Sequence, residues 1–332
     1  MKTYILLSID GGQTATKAMA ASVDGVVLGS GQGGPTVHYL SEGGFEKNRA
    51  SVQGAIRAAL QDANLGSDTV VSVGLGGTGV DPRGEEVPVI HQIVREMVSP
   101  QAISVVTDTY TNLMGASGGE PGVVVIAGGG AIGYGLTGDG RVAVSNGFGY
   151  WLGDEGSAFW IGMKAVEQAS RASDHRDAPT ALEEIVREHF GIELMRLLPR
   201  TVYRAGFNRE QISFLAPKVA EAARLGDDTA QAIYVQAAQE LALTAAGILR
   251  QLYQRGESAT VYPTGGVFTE EVLVLHPFTQ ELSKLWPEAQ VRPPRFPPVV
   301  GGLIVAARAV DLPVDEGWLQ SVEASLNIPP RP

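Results

Sequence analysis

The sequence predicts an α/β protein built twice, two halves with a cleft between them. The order of a strand, a glycine turn and a D-G hairpin occurs first at 4–30 and again at 122–145, and apolar runs alternate with helix-period segments elsewhere. The length of 332 residues suits two domains, and 44% hydrophobic with 18% charged residues is globular usage. The 42 glycines follow apolar runs without a G-X-Y period, which suggests turns that approach a ligand closely.

Each element has its own signal. Tyr4 to Ile9 is a buried central strand ending in Asp10-Gly11-Gly12. Lys17 to Ser22 and Val26 to Ser30 flank Asp24-Gly25, a hairpin signal calling for positive φ at both turn residues. Phe45 to Asn64 carries apolar residues at helical spacing, Thr69 to Leu75 reads as a strand, Val87 to Val98 as a helix, and Ile103 to Thr107 as a strand running into Asp108. Then the pattern restarts. Gly122 to Ala127 is a strand ending in Gly128-Gly129-Gly130, and Gly133 to Leu136 and Arg141 to Ser145 flank the turn 137–140. Helices are predicted at Ser157 to Ala172, Ala181 to Phe190, Arg209 to Leu225 and Asp227 to Arg255. A strand at Ala259 to Tyr262 ends in Thr264-Gly265-Gly266; a helix from Thr269 to Leu285, a strand at Gln290 to Arg292 and a helix from Val299 to Val310 complete the chain.

Composition excludes several function classes. With 25 basic against 36 acidic residues the net charge is −11, so no nucleic-acid partner is expected. The absence of cysteine removes disulfides, thiolate nucleophiles, zinc–cysteine sites and iron–sulfur ligation. Asp10 interrupts the apolar start and no stretch of about 18 apolar residues occurs, so the expectation is a cytoplasmic protein without a signal peptide or membrane partner.

Four segments are candidates for chemistry. In 10–17 the glycines let backbone N–H groups approach a phosphate, Thr14 adds a hydroxyl and Asp10 suits hydrated magnesium, whereas an ordinary hairpin turn explains the string equally well. No Walker loop is present. Gly128 to Gly130 occupies the equivalent place in the second half. Asp108, directly after a strand, is either a helix N-cap, which position alone favours, or a carboxylate able to take a proton from a hydroxyl. Segment 146–157 mixes amide, carboxylate and aromatic groups among four glycines, a mixture suited to sugars. Gly74-x-Gly76-x-x-Gly79 matches a dinucleotide fingerprint, and Gly115 to Gly119 a nucleophile elbow, but the first is weak alone and the second lies between the wrong elements. The five histidines show no metal-binding spacing.

DGGQTATK, the strand end at Asp108, IAGGGAIGYG, GYWLGDEGSAFWIG and TGGVF, in this order, resemble the N-acetylglucosamine kinase family, grouped with the BadF/BadG/BcrA/BcrD ATPases in the actin and hexokinase superfamily. The resemblance implies a duplicated ribonuclease-H-like fold with ATP and magnesium in an interdomain cleft and phosphoryl transfer to the 6-hydroxyl of an amino sugar. It implies domains at 1–115 and 116–310, the second with a helical insertion, and a C-terminal helix and tail at 311–332 packing back on the first. Nucleotide phosphates fall to Gly11, Gly12, Gln13, Thr14, Gly128 and Gly129, the adenosine to Gly265, Gly266 and Ser213, and magnesium to Asp10 through water. Asp108 becomes the catalytic base; Gly130, Gly147, Gly149 and Asp154, with Asp108, become sugar ligands. A homodimer is implied too.

The chain departs from that pattern at two places. Gly128-Gly129-Gly130-Ala131 stands where G-T-G-S is common, and Val37 and Tyr39 replace an Asn and a Trp in the stretch 35–39. Loss of an Asn alters which substrate groups are paired, so glucosamine, N-acetylmuramic acid and glucose stand beside N-acetylglucosamine as acceptors. The related dehydratase activators need cluster cysteines and the ROK sugar kinases zinc cysteines, which this chain lacks. Two rivals remain at this point: a non-catalytic sensor closing on ATP and sugar, and a nicotinamide-dependent oxidoreductase using Gly74 to Gly79.

Overall fold

The computed structural model describes residues 4–12, 14–208 and 210–326. The chain forms two compact units, one running to Pro121 and resuming at Pro294, the other Gly122–Pro293.

The first unit contains β1 (Ile5–Gly11), β2 (Thr16–Ser22), β3 (Val27–Gly33), α1 (Gly44–Asp62), β4 (Val70–Gly77), α2 (Glu86–Arg95), β5 (Ala102–Thr107) and α3 (Asp108–Ser117). Its sheet order is β3-β2-β1-β4-β5, with β1, β2 and β3 antiparallel and β1, β4 and β5 parallel. The second unit contains β6 (Gly122–Ala127), β7 (Ala131–Leu136), β8 (Val142–Asn146), α4 (Ala158–Ser173), α5 (Leu182–Phe190), α6 (Leu198–Val202), α7 (Glu210–Ser213), α8 (Ala216–Arg224), α9 (Asp228–Leu252), β9 (Ala259–Thr264), α10 (His276–Leu285) and β10 (Ala289–Val291). Its order β10-β9-β6-β7-β8 repeats the first topology, the duplicated ribonuclease-H-like fold. Helices α11 (Pro298–Arg308) and α12 (Glu316–Leu326) belong to the first unit. This division differs from the expected boundaries at 115 and 310: Pro294–Pro332 belongs to the first unit, where α11 packs on α3, β1 and β4.

The repeat extends to single hydrogen bonds. Ser22 N–H donates to Val26 O at 2.8 Å and Gly25 N–H to Ser22 O at 3.0 Å; Thr137 N–H donates to Arg141 O and Gly140 N–H to Thr137 O, each at 3.0 Å. Ser22 Oγ and Thr137 Oγ1 also accept from the N–H of Val26 and Arg141. Only the glycine of each turn, Gly25 or Gly140, has positive φ, so the expected two-residue turn with two positive φ values is replaced by a longer turn closed by a glycine bulge.

Glycine fixes how closely helices approach the first sheet. A Cβ at Gly29, Gly31 or Gly33 of β3 would strike the α1 backbone, and one at Gly74 of β4 would strike Gly302 of α11. A Cβ at Gly301 would collide with the Thr111 carbonyl, so α3 and α11 cross almost backbone to backbone. These contacts account for Gly74 and Gly76, whose nearest neighbours are α11 and Thr111, and the segment after them is a turn rather than the helix a dinucleotide site needs.

Two predicted helices are broken. Arg209 to Leu225 divides into α7 and α8, where Pro217 opens a new first turn; Thr269 to Leu285 divides into a short turn at Gly266–Thr269, a wide turn at Glu271–Leu275 and α10, opened by Pro277. Helix α6 carried no signal that its five residues could announce. Among described residues α9 alone is long and apolar enough to cross a membrane, but 61% of its apolar window is buried, and it packs across β6, β7 and β8 as the core helix of the second unit.

The α3–α11 crossing gives a stability test. Gly301→Ala gains helix propensity, yet the added methyl should cost about 1–3 kcal/mol by overpacking, read as a lower urea midpoint with unchanged slope. Unchanged stability would show that the crossing yields freely.

Candidate active site

In the first unit the parallel ladder brings three strand ends to one level: Gly11 of β1 pairs with Gly77 of β4, and Gly77 with Thr107 of β5. Asp10 and Asp108 flank that line. Burial together with the nearby Asp108 charge pushes the Asp10 carboxyl from 3.8 up to about 6, against the pull of Lys17, its cross-strand partner on β2. Asp108 is also raised, by burial, while hydrogen bonds to its charged form oppose the shift. Thr78 Oγ1 donates to Oδ2 at 2.8 Å and Thr109 N–H to Oδ1 at 2.8 Å. The N-cap of α3 is Thr107, whose Oγ1 accepts from Tyr110 N–H at 3.1 Å. That corrects the positional preference for Asp108 as cap: with Thr107 capping, the Asp108 side chain remains available at the strand end.

The turn after β1 is tied down by its backbone. Gly12 N–H donates to Ala15 O at 3.1 Å, and Gly12 O accepts from Thr36 N–H at 3.0 Å and Thr36 Oγ1 at 3.1 Å. Thr14 is exposed, and Gln13 lies outside the described residues. Nearby, Asn48 clamps Val37 at both backbone groups, accepting from its N–H at 2.8 Å and donating to its carbonyl at 2.9 Å. Tyr39 is buried with no partner for its hydroxyl, which burial pushes up to about 12.

In the second unit the equivalent strand end is Gly128 to Gly130. Gly128 N–H donates to Gly130 O at 2.9 Å, and Gly128 O accepts from Ala158 N–H at 2.8 Å at the start of α4. A Cβ at Gly128 or Gly129 would meet nothing within 4 Å, so the turn is open. Gly130 faces Asp154: a Cβ there would lie 2.8 Å from Oδ2. Asp154 is 8% exposed and has φ +60°. Asn146 holds the segment between them, its Oδ1 accepting at 2.8 Å from both Gly147 N–H and Asp154 N–H. Thus Gly130, Gly147 and Asp154 are brought together, and Gly149, at φ +84° with open space around it, lies on the same segment. Ala131 is buried in the core, where the common serine would offer a hydroxyl.

Gly265 has φ +96° and sits against the Ala127 backbone, whereas Gly266 is open. Ser213 ends α7, which packs on α4 through Ile212 against Gly162. A cavity of about 760 Å³ takes in Tyr150 and Trp151 but none of Gly128 to Gly130 or Asp154. Two residues given no role of their own in the sequence reading prove structurally central, Thr78 and Asn146. Thr78 stood in the segment set aside as a false dinucleotide match, and Asn146 was read only as one polar residue among glycines.

With this geometry in place, comparison with known proteins is decisive for the family. The sequence profile of the BadF/BadG/BcrA/BcrD ATPase family matches residues 7–306. The chain belongs to that family. It is similar to the N-acetylmuramic acid/N-acetylglucosamine kinase of Clostridium acetobutylicum, 27% identical over 306 residues, covering 92% of this chain and 99% of the relative. The N-acetyl-D-glucosamine kinase of Dictyostelium discoideum is 25% identical over 315 residues, covering 92% and 98%. A solved structure from Chromobacterium violaceum, provisionally assigned as an N-acetylglucosamine kinase, superposes with TM-score 0.74 at 28% identity, covering 92% and 99%.

The raised Asp10 carboxyl has a measurable consequence. Its folded-state value lies above its unfolded value of 3.8, so the folded state holds the proton more tightly and stability falls as pH rises from about 4 to about 6. Asp10→Asn removes that penalty: at pH 8 the variant should be more stable by at most roughly 3 kcal/mol, and at pH 3.5 indistinguishable, by urea denaturation. A loss of stability at pH 8 would mean that Asp10 is favourably paired.

Proposed function

We propose that the chain is an ATP-dependent kinase that transfers the γ-phosphate to a hydroxyl, the 6-hydroxyl, of an amino sugar such as N-acetylglucosamine or glucosamine. The observation that carries this reading is Asp108, a partly buried carboxylate at the end of a parallel strand with both oxygens held by donors and a second carboxylate beside it. The curated relatives support it, being named as kinases of N-acetylmuramic acid, N-acetylglucosamine and, in Vibrio cholerae, glucosamine.

Asp108 takes the acceptor hydroxyl's proton as the sugar oxygen bonds to phosphorus and the bond to the ADP oxygen breaks. Gly11, Gly12, Gln13, Thr14, Gly128 and Gly129 are assigned to the phosphates of the nucleotide, and Gly265, Gly266 and Ser213 to the adenosine. Gly130, Gly147, Gly149 and Asp154 orient the sugar. The donor set suits magnesium: Asp10 is a hard oxygen ligand whose carboxyl the nearby Asp108 charge raises, a repulsion that a cation relieves. Asp10 would hold magnesium through water, and the ion would supply neutralisation of the charge on the transferring phosphate.

The homodimer implied by the resemblance and the cytoplasmic setting expected from the sequence belong to this reading, and light scattering checks the first. ADP release should be measured with ATP and magnesium against glucosamine, N-acetylglucosamine, N-acetylmuramic acid, N-acetylmannosamine and glucose. Turnover with an amino sugar, lost by about 10²-fold or more in Asp108→Asn with ATP binding retained, is the expected outcome. Binding of ATP and sugar without turnover would turn the assignment to a sensor.

A further inference from the structure

Thr78 follows directly on Gly77, just as Asp108 follows on Thr107, and Gly77 and Thr107 are register partners. The two side chains therefore leave neighbouring strands one step beyond the same level. Thr78 N–H already donates to Gly11 O at 3.0 Å, extending the β1–β4 ladder, so the hydroxyl is not needed to hold the backbone. That hydroxyl has one hydrogen and two acceptors in reach: Asp108 Oδ2 at 2.8 Å and Gly11 O at 3.2 Å. The nearer, charged acceptor wins while Asp108 is ionised, because charge-assisted bonds are shorter and stronger.

We propose that Thr78 is a positioning residue for phosphoryl transfer, its hydroxyl fixing the direction of the Asp108 carboxylate and turning toward the Gly11 carbonyl when Asp108 takes up the acceptor's proton. This inference rests on the kinase reading above. The rotation keeps each oxygen satisfied in both states: ionised Asp108 accepts from Thr78, and protonated Asp108 leaves the hydroxyl to the carbonyl at the end of β1, next to the turn assigned to phosphate. A group held in line before reaction avoids reorientation during it, so the effect falls on turnover rather than on sugar affinity.

The test uses the full chain with whichever sugar the wild-type protein turns over. Thr78→Val keeps shape and backbone ladder and removes only the donor; kcat should fall about 10- to 100-fold with sugar KM within about twofold. Thr78→Ser should restore kcat to within about threefold of wild type. In an Asp108→Asn background the valine substitution should cost little further, because the pair acts as one unit. A wild-type kcat in the valine variant, or the same loss in both backgrounds, overturns the proposal. A serine variant with an unchanged melting temperature that stays as slow as the valine variant does so as well. A wild-type protein that turns over no sugar refutes the kinase reading itself, and this inference with it, whereas an active wild type beside an unaffected valine variant removes Thr78 alone.

Discussion

The first unit depends on helices resting against its sheet with almost no side chain between backbones. Gly29, Gly31 and Gly33 let α1 lie on β3; Gly74 lets α11 lie on β4; Gly301 lets α11 cross α3. Close-packed interiors leave no room to absorb a methyl at such crossings. The benefit is positional: α11 and α3 press directly on β1 and β4, and the strand ends carrying Asp10, Thr78 and Asp108 inherit that rigidity. A site built on strand ends clamped in this way holds its groups more narrowly than one built on a loop.

On that frame sits an arrangement that folding alone would not favour. Two carboxylates stand at the ends of β1 and β5, on either side of β4; burial raises both, and the Asp108 charge raises Asp10 further. Perturbed carboxylates in such a place point to function, since a structural role would be served better by a neutral residue. The protein offsets part of the cost locally, with Lys17 opposite Asp10 and donors from Thr78 and Thr109 on Asp108.

The second unit repeats the topology with a different set of groups at its strand end. Its strand end carries no carboxylate; Gly128 and Gly129 present bare backbone instead, and the acid comes from Asp154 in a left-handed conformation that Asn146 fixes. The β2–β3 and β7–β8 hairpins share the same pattern of hydrogen bonds, while the glycine turns before them differ. Duplication preserved what pairs strands, and difference accumulated where the chain leaves the sheet.

The repeated order of strand, glycine turn and hairpin was legible because strand period and turn residues are local signals, and so were the strands bearing Asp10 and Asp108. Asp108 as an acid at a strand end was visible too, though only Thr107 taking the cap showed that its side chain is left for other work. Breaks at Pro217 and Pro277 were written in the chain but outweighed by apolar spacing around them. What the sequence alone determined, then, is the repeated order of strands and glycine turns and the identity of the groups that stand at the strand ends. Tertiary structure alone decided which segment holds Asp108: Thr78 is 30 residues away and meets it only because β4 lies between β1 and β5. Strand order and register are set by long-range pairing, and no local pattern encodes a hydrogen bond between the ends of two different strands.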